Sequence, residues 1–315
     1  AEVATAGLIL PGDDPAPGEY GGPLPGLSAE ELARFRAGRL LFDKDHGYED
    51  GVGPFFNGDS CRACHFDPVP GGAGPLGLNV QRTGVYAADG SFSAPEGGTL
   101  LPRHTVPGLV RPEVPAAAVF ELRQTPPTLG LGVLEAIPAE SIIALADPDD
   151  LDGDGIAGVA HILPDGRLGR FGWKNQIVNV RDFVGDALRF ELGMTVPESM
   201  GITTAITEDD DAILDPEIPA VEVDALTFYL LKAAPPPRAS APPAEGRALF
   251  EQTGCADCHV PALPGTPDGY EPFTDLLLHT MYDDPQHGVP DGVALGNQYR
   301  TPPLWGVKDT APYMH

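Results

Sequence analysis

Residues 59–67 read DSCRACHFD and residues 254–260 read GCADCHV, so the pattern Cys-x-x-Cys-His occurs twice. Cys61, Cys64, Cys255 and Cys258 are the only cysteines, and His65 and His259 follow the second thiol of each pair. With this composition, on the order of 0.001 such strings are expected by accident. The spacing has a mechanical meaning. A short turn aims both sulfurs at the two vinyl groups of one haem, to form thioether bonds, and the next residue swings its imidazole beneath the iron. Three other chemistries use parts of the pattern. A disulfide suits neighbouring cysteines in an exported protein. A thioredoxin-type dithiol needs a βαβ setting that the sequence lacks. Four-cysteine zinc sites usually space their knuckles about 15–20 residues apart, whereas these pairs begin at 61 and 255. None of the three requires a histidine after both pairs. The sequence therefore predicts two covalently bound c-type haems.

The elements that must position these residues also recur. Gly38-Arg39-Leu40-Leu41-Phe42 precedes the first motif and Gly246-Arg247-Ala248-Leu249-Phe250 the second. Downstream, LRQTPPTLGLG from Leu122 matches YRTPPLWGVK from Tyr299. Each half thus reads helix, haem motif, long loop, Arg-(Gln)-Thr-Pro-Pro and apolar segment, as expected of a duplicated one-haem cytochrome unit. Phe42 lies 19 residues before Cys61 but Phe250 only five before Cys255, which gives the first copy a 14-residue insertion within DKDHGYEDGVGPFFNGDS. Ser28 to Glu31 form a capping box that opens the helix SAEELARFRAGRLLF. A second helix is expected over 221–234, ending at the semi-rigid linker PPPRASAPPA. ESIIALAD and DFVGDALRFELGM read as two shorter helices, and strand alternation is scarce.

The expected fold is mainly α and loop-rich. It comprises an N-terminal extension (1–27), an N-terminal cytochrome c-like haem domain (28–145), a middle segment (146–234) and a C-terminal cytochrome c-like haem domain (235–315). The middle segment contains DLDGDGIAG, where Asp150, Asp152 and Asp154 precede Gly155 as in the first half of a calcium loop. Position twelve of that loop is His161 rather than a bidentate Glu, so the match is partial, and a solvated acidic turn is the alternative. Glycine and proline make up about a quarter of the chain, which suits a loop-rich fold wrapped around cofactors.

Charge limits the partners. The chain has 46 acidic against 19 basic residues, a formal net of −27. Nucleic acid and anionic membrane surfaces would be repelled, whereas a basic redox donor protein would be attracted. No stretch has the roughly 18 apolar residues of a membrane span. Covalent haem attachment takes place outside the cytoplasm. The expected location is therefore periplasmic or extracellular, with AEVATAGL as a processed N-terminus.

The segments GPFFNGDSCRACH, RQTPPTLGLGVLEAIP, LADPDDLDGDGIAG, GRFGWKNQ, MGIT, TDLLLH and YRTPPLWGV, taken in order, resemble the di-haem oxidoreductase family also labelled thiol oxidoreductase. That family is a branch of the bacterial di-haem cytochrome c peroxidase and MauG superfamily. The resemblance implies one haem on Cys61, Cys64 and His65 and another on Cys255, Cys258 and His259. It further implies that the first haem meets peroxide or a related oxidant while the second relays electrons. Glu135 in GVLEAIP would be a proton-moving carboxylate above a haem, or else a capping Glu. Trp173 would assist electron transfer between the haems, or else be core. His279 and Met281 are candidate iron ligands, with a propionate contact as the alternative for His279. Relatives continue beyond PYMH with an Asp-Gly-Arg segment that commonly supplies the second haem's distal ligand. Here that ligand would be His279, Met281, Met314 or His315, or the site would stay open. His46 stands where relatives are expected to carry an aromatic residue, and as a distal ligand it would close the first site. The leading expectation is an exported, peroxidase-like di-haem oxidoreductase. The competing ones are an electron-transfer cytochrome with both haems six-coordinate and a subunit of a larger redox assembly.

Overall fold

The computed structural model describes residues 15–209, 211–238 and 243–314. The stretch read as a processed N-terminus, part of the proline-rich linker, and His315 lie outside them. Ser28 caps helix α1 (Ala29–Asp43) as a full capping box: its Oγ accepts from the Glu31 amide at 3.2 Å, and its own amide donates to Glu31 Oε2 at 2.9 Å. The buried stripe Phe35, Gly38, Arg39 and Phe42 packs on helix α5 (Ala220–Lys232). The contact needs a glycine, because a Cβ on Gly38 would sit 2.1 Å from the Ala225 carbonyl oxygen. Tyr229 of α5 meets the Phe35 and Phe42 rings at 5.0 and 5.2 Å, and Phe42 meets His65 at 6.2 Å. The main aromatic seam thus leads directly to the first haem motif. Short helices α2 (Leu131–Glu135) and α3 (Ala139–Ile143) follow the first Thr-Pro-Pro element. Helix α4 (Val180–Ala187) packs on α5 and continues into a π-helical turn, Leu188–Leu192. The second unit begins with α6 (Ala244–Gln252) and the one-turn α7 (Cys255–Cys258). One contiguous apolar core runs from Phe35 to Leu277.

The mainly helical expectation is overturned, although the chain is loop-rich as expected. The structure is 26% helical and 13% strand, with seven helices among the described residues. Its principal sheet is antiparallel and lies between the first haem motif and the first Thr-Pro-Pro element. There β2 (Val80–Tyr86) pairs with β3 (Phe92–Ser93), β4 (Leu100–Leu101) and β6 (Val119–Arg123), in register Gln81 to Leu122 and Gln81 to Leu101. Two smaller pairs join β1 (Phe55–Phe56) to β5 (His104–Thr105) and β7 (Leu278–Thr280) to β8 (Gln298–Arg300). The alternation was invisible because β2 reads VQRTGVY, with polar side chains at successive inner positions and a glycine at 84, while four other strands have two residues each. Among the described residues, no helix is long and apolar enough to cross a membrane.

Candidate functional site

Both haem motifs turn through one helical step. In the first, the amides of Cys64 and His65 donate to the Cys61 carbonyl at 3.3 and 3.1 Å, and in the second His259 donates to Cys255 at 3.0 Å. Such a turn puts the two sulfurs on one side with the imidazole following. The first turn is tied to the end of α1: the Arg62 amide donates to the Phe42 carbonyl, and its guanidinium pairs with Asp43 and Asp45 at 2.6 Å each. His65 Nδ1 lies 2.9 Å from the Pro126 carbonyl, and His259 Nδ1 lies 3.0 Å from that of Phe273. A carbonyl oxygen only accepts, so each Nδ1 carries the proton, which in a neutral ring leaves the lone pair on Nε2. Burial pushes His65 down to about 4, which keeps it neutral.

The thiols fit thioether attachment better than the alternatives. All four cysteines are free. Burial, with the neighbouring thiol adding to it, pushes Cys61 up to about 12, and burial followed by the Glu191 charge pushes Cys64 up to about 11. A redox dithiol needs the opposite shift. Among the described residues, the groups of three or more His, Cys, Asp or Glu with mutually close ligand atoms are both purely acidic, so the cysteines do not form a four-cysteine zinc site. Two sulfurs and an imidazole whose Nδ1 is fixed on a backbone carbonyl recur in each unit, and these are the donor types that a covalently bound haem uses.

Trp173 joins the two repeats. Its indole Nε1–H donates to the Gln124 carbonyl at 3.0 Å, and its own carbonyl accepts from the Arg300 amide at 2.9 Å. Gln124 and Arg300 each immediately precede the threonine of a Thr-Pro-Pro element. On the first side, Pro126 of that element receives His65. On the second, Thr274 Oγ1 donates to the Thr301 carbonyl at 2.6 Å, next to the Phe273 carbonyl that receives His259.

Beside the first motif is a charged cluster that sequence reasoning missed. Glu191 lies on the π-helical turn, and its Oε2 is buried without a hydrogen-bond partner among the described residues. Burial pushes its carboxyl up to about 7, with Arg82 and Arg103 pulling down and Asp186 pushing up. Asp186 is itself raised to about 6 by burial, against the pull of Arg82. The 14-residue insertion builds the other wall. Asn57 and Gly58 donate their amides to the Glu191 carbonyl at 2.7 and 3.3 Å, and Gly53 donates to Leu192 at 3.0 Å. Gly193 ends the turn at φ 76°, where a Cβ would lie 2.3 Å from the Gly53 oxygen. A π-helical turn carrying a buried acid is a recurrent mark of a functional site. The available signal was an acid flanked by apolar residues in LRFELGM, but its basic partners lie far away in the chain.

The remaining predicted residues are placed as follows. Glu135 Oε2 accepts from the Val180 amide at 2.6 Å and so caps α4. Glu135 also lines an open cleft of about 540 Å³ with Arg34, Arg181 and Asp224, and that cleft contains none of the cysteines or histidines of the two Cys-x-x-Cys-His motifs. His279 Nε2 is 2.7 Å from Asp275 Oδ2, and its Nδ1 is 3.8 Å from Cys258 Sγ, so both ring nitrogens are engaged. Burial lowers His279, but Asp275 and then Cys258 outweigh it and raise it to about 10. Met281 is half-buried, with its amide on the Asn297 carbonyl. His46 is buried; its amide donates to the Asp59 carbonyl, and its Nδ1 has no partner among the described residues. The carboxylates of Asp150, Asp152 and Asp154 offer oxygens within 4.8 Å of one another on an exposed turn.

A family model described as "Di-haem oxidoreductase, putative peroxidase" matches residues 116–313, which include the second haem motif, both Thr-Pro-Pro elements, Trp173 and Glu191. No curated protein and no solved structure matches the chain.

Proposed function

The chain belongs to the di-haem oxidoreductase family, and on that premise we propose that it is an exported, peroxidase-like enzyme that reduces hydrogen peroxide or a related small oxidant with electrons from a donor protein. Cys61 and Cys64 would carry the first haem above His65, and Cys255 and Cys258 the second above His259. Bound haem supplies the redox-active iron at each position. The observation that carries the reading is Trp173, whose indole N–H and backbone carbonyl bond the residues immediately before the Thr-Pro-Pro elements of both units, Gln124 and Arg300. This arrangement supports an electron relay between the two histidine-bound centres.

The chain's own residues divide the remaining work. Glu191, buried beside Cys64 and titrating near neutral pH, is suited to take a proton from an incoming peroxide and return it to the departing oxygen. The proposal therefore moves the acid–base role from Glu135, which caps α4, to Glu191. Arg82 and Arg103 bring positive charge to the same cluster and favour the ionised state of Glu191. The Asp275–His279 pair beside Cys258 fixes the charge around the second unit. The formal charge of −27 favours a basic donor protein. The converging carboxylates of Asp150, Asp152 and Asp154 suit a hard cation such as calcium, and chelation followed by metal analysis tests that part.

A second reading, an electron carrier with both irons six-coordinate, draws on His46, whose buried and unpartnered Nδ1 is available near the first motif. Electron paramagnetic resonance of the oxidised protein separates the two. One high-spin ferric centre, with turnover of peroxide by a reduced dye, is the expected result. Two low-spin centres that persist after partial reduction, with no turnover, would overturn the peroxidase reading.

A further inference from the structure

The inter-unit tryptophan has a second set of neighbours that points away from both haem motifs. The edge of Trp173 meets the buried Tyr299 ring with centroids 6.1 Å apart, and Tyr299 meets Tyr282 at the same distance. Tyr282 stacks on His287 at 3.6 Å, and His287 is exposed. Three readily oxidised rings in near contact thus lead from the relay to solvent. An oxidising equivalent on Trp173 that followed them would be lost at the surface.

Lys174 is placed against the middle ring. Its side chain is fully buried, with Nζ 3.6 Å from the Tyr299 centroid. Nζ also donates to the carbonyls of Leu295, Gly296 and Gln298 at 3.0, 2.8 and 2.5 Å. Three acceptors call for three N–H donors, which an ammonium has and a neutral amine does not. A cation over the ring face stabilises the electron-rich, reduced ring and opposes removal of an electron from it. Oxidising Tyr299 also requires its phenol proton to leave, and the carboxylate it faces is Glu121. Glu121 is held by Arg123 at 3.0 and 3.1 Å and by the Val289 amide at 2.7 Å. Although burial raises the Glu121 carboxyl, Arg123 outweighs it and keeps the group below its ordinary value, which makes it a poor proton acceptor.

We propose that Lys174 is a positioning residue that confines the oxidising equivalent to Trp173, by holding a positive charge against Tyr299 and so closing the aromatic route to Tyr282. The inference rests on the relay role given to Trp173 above. Oxidised Trp173 would take one electron from Tyr299, whose phenol proton would pass to Glu121. Tyr282 would then return one electron to Tyr299 as Glu121 returned the proton, and would lose its own proton to solvent. Each passage carries one electron, so two passages together with two protons from solvent would reduce one hydrogen peroxide to two water molecules.

Four groups besides Tyr299 face the lysine or its backbone: Glu121 and Arg123 from β6, Asp291 from the loop between β7 and β8, and His161, whose Nδ1 bonds the Lys174 carbonyl at 2.6 Å. Burial pulls Lys174 down to about 7, so the comparison belongs at pH 6, where the ammonium form dominates.

The test treats haem-loaded wild type, Lys174→Met, Lys174→Arg and Lys174→Met/Tyr299→Phe with peroxide and no donor. Oxidation at Tyr282 and His287 is then mapped by peptide mass spectrometry, and the haem spectrum is followed in parallel. Lys174→Met is expected to raise oxidation at Tyr282 several-fold, Lys174→Arg to stay near wild type, and the double variant to fall back to it. Equal Tyr282 oxidation in wild type and Lys174→Met, with haems that react normally, overturns the inference alone. A wild-type haem spectrum unmoved by peroxide removes the peroxidase reading and this inference together. Should Lys174→Met fail to fold, Tyr299→Phe in the native background decides. No change at Tyr282 is expected, and a fall would mean that the route is already open.

Discussion

His65 and His259 each donate Nδ1–H to a backbone carbonyl, but the two carbonyls come from different places in the repeat. In the first unit the acceptor is Pro126, within the Thr-Pro-Pro element itself. In the second it is Phe273, on a separate strap stitched to that element through Thr274 and Thr301. The surroundings diverge further. The first motif is walled by the 14-residue insertion and the π-helical turn, which enclose a carboxyl raised to about 7. The second motif leaves Cys255 exposed and sets Cys258 beside the Asp275–His279 pair. The two copies thus keep the same Cys-x-x-Cys-His turn and a carbonyl-bound histidine, while the neighbouring ionisable groups part. A poised acid suits proton-coupled chemistry, whereas a fixed ion pair suits a centre that only exchanges electrons.

The strongest break of this comparison is to remove one attachment at a time. Cys61→Ser/Cys64→Ser and Cys255→Ser/Cys258→Ser are each expected to lose one covalently bound haem, measured by protein mass and pyridine haemochrome. The first pair should also lose all reaction with peroxide. The second should still react once but accept no electrons from a donor. Equal peroxide reactivity in the two would mean that the units share the chemistry.

Glu191→Gln sharpens the same contrast. Loss of a general acid–base typically costs roughly 10²–10⁴-fold, and peroxide turnover should fall by that order with haem content unchanged. Because the ionised form is the base, wild-type turnover should rise as pH passes through about 7, while the variant profile stays flat there. Stability should move the opposite way. The folded value lies above the unfolded one of roughly 4.3, so this group's contribution is fully present below the unfolded value and is lost as pH rises through about 7. Denaturant melts at pH 5 and pH 8 should therefore show wild type losing stability relative to Glu191→Gln.

Trp173→Phe has a smaller expected effect. The ring remains but the Nε1–H bond to Gln124 is lost, at a cost of about 1 kcal/mol. Electron transfer between the units should slow, as measured by reducing one haem and following the other. An unchanged rate would mean that electrons bypass the tryptophan.

These contrasts were unequally legible in the sequence. The two Cys-x-x-Cys-His turns could be read because their signal is a local spacing, and the capping box at Ser28 because it is a four-residue signal. Helix α5 was expected over 221–234 and forms over Ala220–Lys232. DFVGDALRFELGM was also expected to be helical, but its widening into a π-helical turn was not foreseen, since that depends on Gly53, Asn57 and Gly58 docking from elsewhere. The carbonyl partners of His65 and His259 left no side-chain trace, because any residue can supply a backbone acceptor. The sheet around β2 escaped because Arg82 and Thr83, adjacent in sequence, both turn to partners on β4 or β6 or in nearby loops rather than alternating with solvent.

The smallest predicted difference concerns a glycine that the two copies share in sequence but not in packing. Gly38 touches α5 so closely that a Cβ would lie 2.1 Å from the Ala225 oxygen and 2.7 Å from Tyr229 Cβ, both atoms held by the α5 backbone. At the matching position, Gly246, the nearest atom to a new Cβ is Pro243 Cγ at 3.3 Å, on a ring at the helix start that can shift slightly. Gly38→Ala should therefore cost about 1–3 kcal/mol through overpacking. Gly246→Ala should stay within about 1 kcal/mol of wild type, because alanine's helix preference offsets the tight contact. Denaturant melts of the two variants decide. Equal losses would mean that α6 also docks through its glycine, and the two units would then be more alike in packing than the surroundings of Gly38 and Gly246 indicate.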